Sequence, residues 1–251
     1  MATTTTTYLI TGANRGIGRG LVEAYLKRPN NIVVAAVRDP SDPTSKSLND
    51  LPKGPSSSLI VVKINNTSET DAADAVQELE TVHNIKSLDV VIPNSAVGRI
   101  FVRVEDAQTS DLLEYYHVNV IGVIILFRAV LPLLKKSQRT PKFIPMGSSA
   151  GTITDQEKVN IPNAVYGTSK AALNYIVKKI HLENEFLVAF PMHPGWVQTK
   201  MGNESAQSFG LTEAPTTIEE SMTGLMKLID ESTRESHSGK FASYDGTFFP
   251  Y

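Results

Sequence analysis

Apolar residues in this chain fall into six short continuous runs separated by longer segments with helical spacing. Tyr8 to Thr11 opens the series as a β-prone run, and Ile32 to Val37, Leu59 to Ile64, Leu88 to Ile92, Lys142 to Met146 and Leu187 to Met192 follow. Between them the pattern predicts helices over Gly18 to Lys27, from Ser68-Glu69-Thr70-Asp71 to about Thr81, over Ser110 to Lys136, and from Tyr166 to about Asn184. A last helix over Thr217 to Glu231 leads to a short strand near Phe241 to Tyr244. Continuous rather than alternating apolar runs, separated by helices, read as buried parallel strands. The fold class is therefore α/β, a doubly wound parallel sheet of about seven strands with helices on both faces. Pro93 and Pro145 lie beside the fourth and fifth runs and are expected at the last strand positions, where no ladder donor is lost.

Domain organisation follows from the same pattern. The Pro- and Ser-rich stretch Pro40 to Ser58 sits inside one strand–helix–strand crossover and reads as a surface loop. One domain is expected over residues 8–251, after a threonine-rich disordered lead-in at residues 1–7. The 251 residues suffice for a core without staples, and with no cysteine there is no disulfide or thiol nucleophile. A net charge of -2 gives no footprint for nucleic acid or an anionic membrane. The longest apolar stretch, Val118 to Phe127, is interrupted by Asn119 and Gly122 and falls short of a span. No spacing suggests a metal site. A soluble cytoplasmic domain is expected.

Two motifs carry chemistry. Tyr166-Gly167-Thr168-Ser169-Lys170 places a phenol and an ammonium one turn apart on one helix face. Such a pair is ordinarily a packing residue with a snorkelling neighbour, yet a fixed positive charge also lowers a phenol's pKa toward the working range of an acid–base catalyst. After the first strand comes Thr11-Gly12-Ala13-Asn14-Arg15-Gly16-Ile17-Gly18, where glycines permit a tight turn and the helix start offers free amides to a pyrophosphate. Its Gly-x-x-x-Gly-x-Gly spacing differs from the ordinary dinucleotide fingerprint, and alone it is equally a structural βα turn.

Together these motifs resemble the short-chain dehydrogenase/reductase family over nearly the whole chain. Further matches stand after the other strands: Asn94-Ser95-Ala96, Asn119 within Val118-Asn119-Val120, Gly147-Ser148-Ser149-Ala150-Gly151, and Pro194-Gly195-Trp196-Val197-Gln198-Thr199. The finer resemblance is to sniffer-like carbonyl reductases and fungal norsolorinic acid ketoreductase-like proteins, through Leu88-Asp89-Val90-Val91, His193 to Gly202, Ala214 to Thr217 and Ser238 to Phe241.

The resemblance implies a Rossmann-type fold and hydride transfer between a nicotinamide and a carbonyl carbon. Tyr166 is then the proton donor, Lys170 its tuner and ribose ligand, and Asn119 the anchor of a water relay. Counting back from Gly151 puts Ser148 in the place of the active serine, with Ser149 as the alternative. The implied cofactor contacts are Gly12, Asn14, Arg15, Gly16, Ile17, Gly18, Arg38, Asn65, Asn94, Ser95, Tyr166, Lys170, Pro194, Gly195, Val197 and Thr199. Asn65 and Ser95-Ala96 depart from the family's usual aspartate and Ala-Gly. Arg38 ends the second strand where an acidic residue would select NAD, so with Arg15 it points to NADP(H). A mobile lid is expected from Met201 to Pro215, and Phe101, Ile153, Trp196, Phe209 and Leu211 are candidate walls for an aromatic or polyketide-type substrate. The family also implies a homodimer or homotetramer. The competing reading keeps the fold as a non-redox isomerase, cyclase or cofactor-binding protein.

Overall fold

The computed structural model describes residues 5–158 and 161–251. Six strands form one parallel sheet: β1 (Thr6–Thr11), β2 (Asn31–Val37), β3 (Ser58–Lys63), β4 (Val90–Ile92), β5 (Lys142–Phe143) and β6 (Val188–Ala189), in the order β3-β2-β1-β4-β5-β6. This is the expected doubly wound α/β architecture. The expected seventh strand forms as β8 (Phe241–Ser243), but it lies in a small second sheet between β7 (Met192–His193) and β9 (Phe248–Phe249). The run Leu187 to Met192 is thus split, because Phe190 and Pro191 separate β6 from β7 and proline cannot donate to a ladder. Pro93 stands one residue past β4 and Pro145 two past β5, just outside the last strand positions expected for them.

The chain divides into two compact units, Met1–Ser95 with Gly122–Phe143, and Ala96–Ile121 with Ile144–Tyr251. In the first, β1 pairs in parallel with β2 from Thr6↔Asn31 to Thr11↔Ala36 and with β4 from Tyr8↔Val90 to Ile10↔Ile92. Helix α1 (Gly16–Lys27) packs on β1 and β2, while α3 (Asp71–Thr81) packs on β3 and on α5 (Gly122–Lys135). Leu9, Ile10, Leu21, Leu26, Val33, Val34, Leu79, Leu133 and Phe143 are fully buried here. Each such side chain contributes about 1.5–3 kcal/mol. The start of β1 is pinned by the buried Asp89 carboxylate, which accepts the Thr7 N–H (2.8 Å) and the Ser137 hydroxyl (2.5 Å). Thr6 and Thr7 therefore belong to the strand and not to a disordered lead-in; residues 1–4 of that lead-in lie outside the described residues. The surface loop after β2 contains a short helix, α2 (Pro43–Lys46), capped by Asp42.

The second unit holds α4 (Thr109–Tyr116), a π-helical turn (His117–Ile121), α6 (Ala164–Glu183), α7 (Lys200–Ser208) and α8 (Ile218–Glu231). Its core is built on Tyr115, Leu173, Val177, Leu187, Phe190, Met192, Leu225 and Phe241. Thr217 and Glu220 close a capping box at the start of α8. Two departures from the sequence expectation bear on the site. The segment expected as a mobile lid is helical over Lys200–Ser208, with Thr199 Oγ1 accepting the Gly202 N–H at 3.1 Å as its cap. The long helix over 109–135 is interrupted by the π turn at Asn119. That segment also has the length and apolarity of a membrane span, against the expectation that none approaches one. Within the fold, Leu126, Val130, Leu133 and Leu134 of that run are core residues.

Candidate active site

In the first unit, strand order reverses between β1 and β4, where a doubly wound sheet opens a crevice beyond its carboxyl ends. The glycine loop leaves β1 there. Gly12 has φ +63°, a conformation unfavourable to other residues. A Cβ on Gly18 would lie 2.3 Å from Gly12 O, so the turn closes only on glycine. The turn is stapled to the end of β4: Thr11 Oγ1 accepts the N–H of Asn94 and of Ser95 (3.0 Å each), and Asn94 Nδ2 donates to Thr11 O at 3.0 Å. Asn94 thus holds the loop's shape. Arg15, at the N-cap of α1, makes no side-chain cap, which leaves the first-turn amides beside Ile17 without one. Asn14 Nδ2 donates to Thr44 Oγ1 at 2.7 Å.

Arg15 and Arg38 are exposed cations. Asp39, the nearby acid, is turned away into its own loop, where Oδ1 accepts the Ser41 N–H (2.8 Å) and hydroxyl (2.7 Å). Those bonds hold its carboxyl below the usual range. Asn65 follows β3, and its side chain is engaged locally, accepting the Thr67 N–H at 3.2 Å and hydroxyl at 3.1 Å. Its backbone N–H donates to Asp71.

The second unit brings Ser148, Tyr166, Lys170 and Asn119 together. Ser148 caps a short 3₁₀ turn, Ser149–Gly151, with its hydroxyl accepting the Ala150 N–H at 3.2 Å. That turn docks directly on α6. A Cβ on Gly151 would lie 2.6 Å from Lys170 C, and one on Gly167 would lie 2.9 Å from Ala150 O. Ser148, rather than Ser149, makes the hydrogen bond to the Tyr166 hydroxyl. The Ser149 N–H instead donates to Nδ1 of His193 at 3.3 Å. Burial keeps His193 neutral, with its pKa lowered to about 4.

Lys170 is 2 % exposed and donates to Met146 O at 2.8 Å, its one hydrogen-bond acceptor among the described residues. Its Nζ stands 5.7 Å from the centre of the Tyr166 ring. The pKa pattern corrects the sequence expectation. Burial of the hydroxyl raises Tyr166 to about 12, and Ser148 works against that rise. Lys170 is itself lowered to about 8 by burial. For both groups desolvation is the largest effect. The phenol is protonated at neutral pH and ready to give its proton away.

Asn119 is tied to α6 through Ser169. Its Oδ1 accepts the Val97 N–H (2.9 Å), and its Nδ2 donates to Val97 O (3.0 Å) and Ser169 Oγ (3.0 Å). Its side chain is committed to the 97 segment and α6. Pro194 O accepts the Ser221 hydroxyl at 2.7 Å, Gly195 takes φ +87°, Val197 is buried in a bridge to Thr216, and Thr199 caps α7.

Above Tyr166 the walls are aromatic. Phe101 lies edge-on to Tyr166 (6.4 Å between ring centres) and to Phe209 (5.3 Å), which in turn meets Trp196 (6.1 Å). Leu211 is 46 % exposed, and Ile153, 73 % exposed, lines a separate cavity of about 490 Å³ with Val102, Asn163 and Gly167. Sequence reasoning missed Tyr115, whose ring is edge-on to Tyr166 at 6.5 Å, and Met201, expected only as the start of the lid, stands beside Gly98. Among the described residues no cluster of metal-binding side chains occurs.

Comparison with known proteins agrees with this geometry. Residues 6–209 match the family described as short chain dehydrogenase. A norsolorinic acid ketoreductase of Dothistroma septosporum is 43 % identical over 249 residues, covering 98 % of this chain and 92 % of that protein. One from Aspergillus parasiticus is 41 % identical over 248 residues, covering 98 % and 91 %. Among solved structures, NADPH-bound carbonyl reductase from chicken fatty liver superposes with a TM-score of 0.86 at 27 % identity, over 99 % of this chain and 100 % of that one. Carbonyl reductase Sniffer of D. melanogaster gives 0.85 at 27 % identity, with the same coverage.

Proposed function

This chain belongs to the short-chain dehydrogenase family, and from that premise we propose that it is an NADPH-dependent reductase of ketones or aldehydes, acting on an aromatic or polyketide-type carbonyl. The observation that carries the reading is the convergence of Ser148, Tyr166 and Lys170, with the phenol protonated and the ammonium buried beneath its ring.

The residues present fit the cofactor. The glycine loop closes too tightly for a Cβ at Gly18, the first turn of α1 is uncapped, and Asp39 is spent on Ser41 while Arg15 and Arg38 stay exposed. Gly12, Asn14, Gly16, Ile17, Gly18, Asn94 and Ser95 would hold the pyrophosphate side, with Arg15 and Arg38 on the 2′-phosphate and Asn65 toward the adenine. Tyr166 and Lys170 would hold the nicotinamide ribose, and Pro194, Gly195, Val197 and Thr199 the nicotinamide. When bound, NADPH supplies the hydride.

The chain's own part is orientation and proton supply. The Ser148 hydroxyl donates to the carbonyl oxygen and fixes it beside the Tyr166 O–H. As charge develops on that oxygen, Tyr166 transfers its proton to it. An alkoxide is far more basic than a phenolate, so a phenol with a pKa of about 12 remains a competent acid. Lys170 keeps donors to spare beyond Met146 O, which suits the two ribose hydroxyls.

The relatives named norsolorinic acid ketoreductase and the ring cluster of Phe101, Phe209 and Trp196 support an aromatic substrate. Exposed apolar side chains on α4 (Leu113, Tyr116) and α6 (Tyr175, Leu182) support a homodimer or homotetramer, and we propose a cytoplasmic enzyme with one domain that begins at β1. The test is NADPH oxidation with a carbonyl panel by wild type and Tyr166→Phe. Wild type is expected to turn over aryl ketones, and the variant to lose about a thousandfold or more in kcat. Activity surviving the substitution excludes Tyr166 as the acid.

A further inference from the structure

Tyr115 belongs to no motif, yet it is fully buried and its hydroxyl accepts two backbone hydrogen bonds, from the N–H of Arg99 and of Ile100, each at 2.7 Å. A phenol oxygen offers two acceptor sites, and both are used. No backbone carbonyl among the described residues takes either N–H. Four residues on, Asn119 grips Val97 by its N–H and its carbonyl. Two side chains one turn apart thus fix the backbone of residues 97–100, and the next residue is Phe101, the ring edge-on to both Tyr166 and Phe209. The segment has a second tether, the exposed pair of Arg99 with Glu114 (2.6 Å). Exposed pairs contribute little, so the buried phenol sets the geometry.

We infer that Tyr115 is a specificity-determining positioning residue: its phenol oxygen holds the 97–101 segment so that Phe101 stands where an aromatic substrate must pack. The inference rests on the reductase reading for its substrate and on the two hydrogen bonds for its mechanism. A phenylalanine would fill the same space but leave two part-buried N–H groups without their phenol acceptor, a loss that loosens the segment.

The experiment compares wild type, Tyr115→Phe and Glu114→Gln. It measures steady-state kinetics with an aryl ketone and a small aliphatic aldehyde, NADPH affinity, and amide exchange at Arg99 and Ile100. In Tyr115→Phe, exchange at both amides is expected to rise about tenfold or more. The kcat/KM for the aryl ketone should fall about tenfold, mainly through KM, while the aldehyde and NADPH affinity change less than about twofold. Glu114→Gln should leave the aryl-to-aldehyde ratio as it is. Unchanged exchange, an equal loss on both substrates, or the same effect from Glu114→Gln overturns the inference. Should wild type reduce no carbonyl, the reductase reading falls, while the exchange data still decide the tether. Should Tyr115→Phe fail to fold, wild-type exchange decides. Protection like that of α4 supports the tether, and exchange at open-loop rates overturns it.

Discussion

Replacing Lys170 with methionine removes a buried charge and leaves a side chain of similar length. Lys170 is 2 % exposed, and burial lowers its pKa from 10.5 to about 8. At about 1.4 kcal/mol per pKa unit, this difference costs the folded protein about 3 kcal/mol wherever the lysine is charged in both states. Methionine also abandons the bond to Met146 O, a loss of about 1.5–3 kcal/mol for a charged donor. At neutral pH the two effects nearly cancel, so the pH dependence carries the test. Below pH 8 the lysine is protonated folded and unfolded, and the penalty is complete. Between 8 and 10.5 the unfolded chain binds the proton that the folded one has released, so wild-type stability rises with pH. Above 10.5 the penalty is gone. The variant has no such group, and all other titrations are common to both proteins. Wild type should therefore gain about 3 kcal/mol on the variant across this window, or about 6–12 °C in relative Tm for a chain of this size. Thermal unfolding of both proteins by circular dichroism, in steps from pH 7 to 11, measures it. A constant difference in Tm, or one that moves in the variant's favour as pH rises, refutes the assignment of a strained buried ammonium.

Two further outcomes follow from the cofactor residues. Arg38→Ala should weaken NADPH binding about tenfold to a hundredfold and leave NADH binding alone, as expected for a lost charge-assisted contact to the 2′-phosphate; equal effects on both cofactors in a fluorescence titration would remove Arg38 from that role. Gly18→Ala drives a methyl against Gly12 O at 2.3 Å. It should destabilise the apoprotein by about 1–3 kcal/mol and lower NADPH affinity at least about tenfold, while a native-like Tm and Kd would show that the loop has slack.

The strands and the site motifs were legible because both are local. Val33 to Val37 and Leu9 to Ile10 are buried on both faces, so they read as unbroken apolar runs. The glycine loop and the Tyr166–Lys170 pair are set by backbone constraints at fixed spacing. Helix α7 was not legible: Lys200–Ser208 buries only Ser205 and Ala206, so its sequence carries almost no apolar stripe. The π turn leaves the helical pattern intact on either side and shows only in the backbone. The roles of Tyr115 and Asn119 depend on partners at Arg99, Ile100 and Val97, whose N–H groups have no sequence signature. The direction of the Tyr166 shift depends on how deeply its hydroxyl is buried, which spacing alone does not give.

The close seating of the serine turn on α6 also bears on how this chain can diversify. Gly151 and Gly167 each bring backbone against backbone with no space for a methyl, so the distance between Ser148 and Tyr166 is written into main-chain atoms that substitution cannot tune. Heritable change in this lineage must then be absorbed by the rims, at Phe101, Trp196, Met201 and Phe209. The acid pair is inherited as a fixed unit, and descendants of this sequence would differ in which carbonyls they admit long before they differ in how they protonate them.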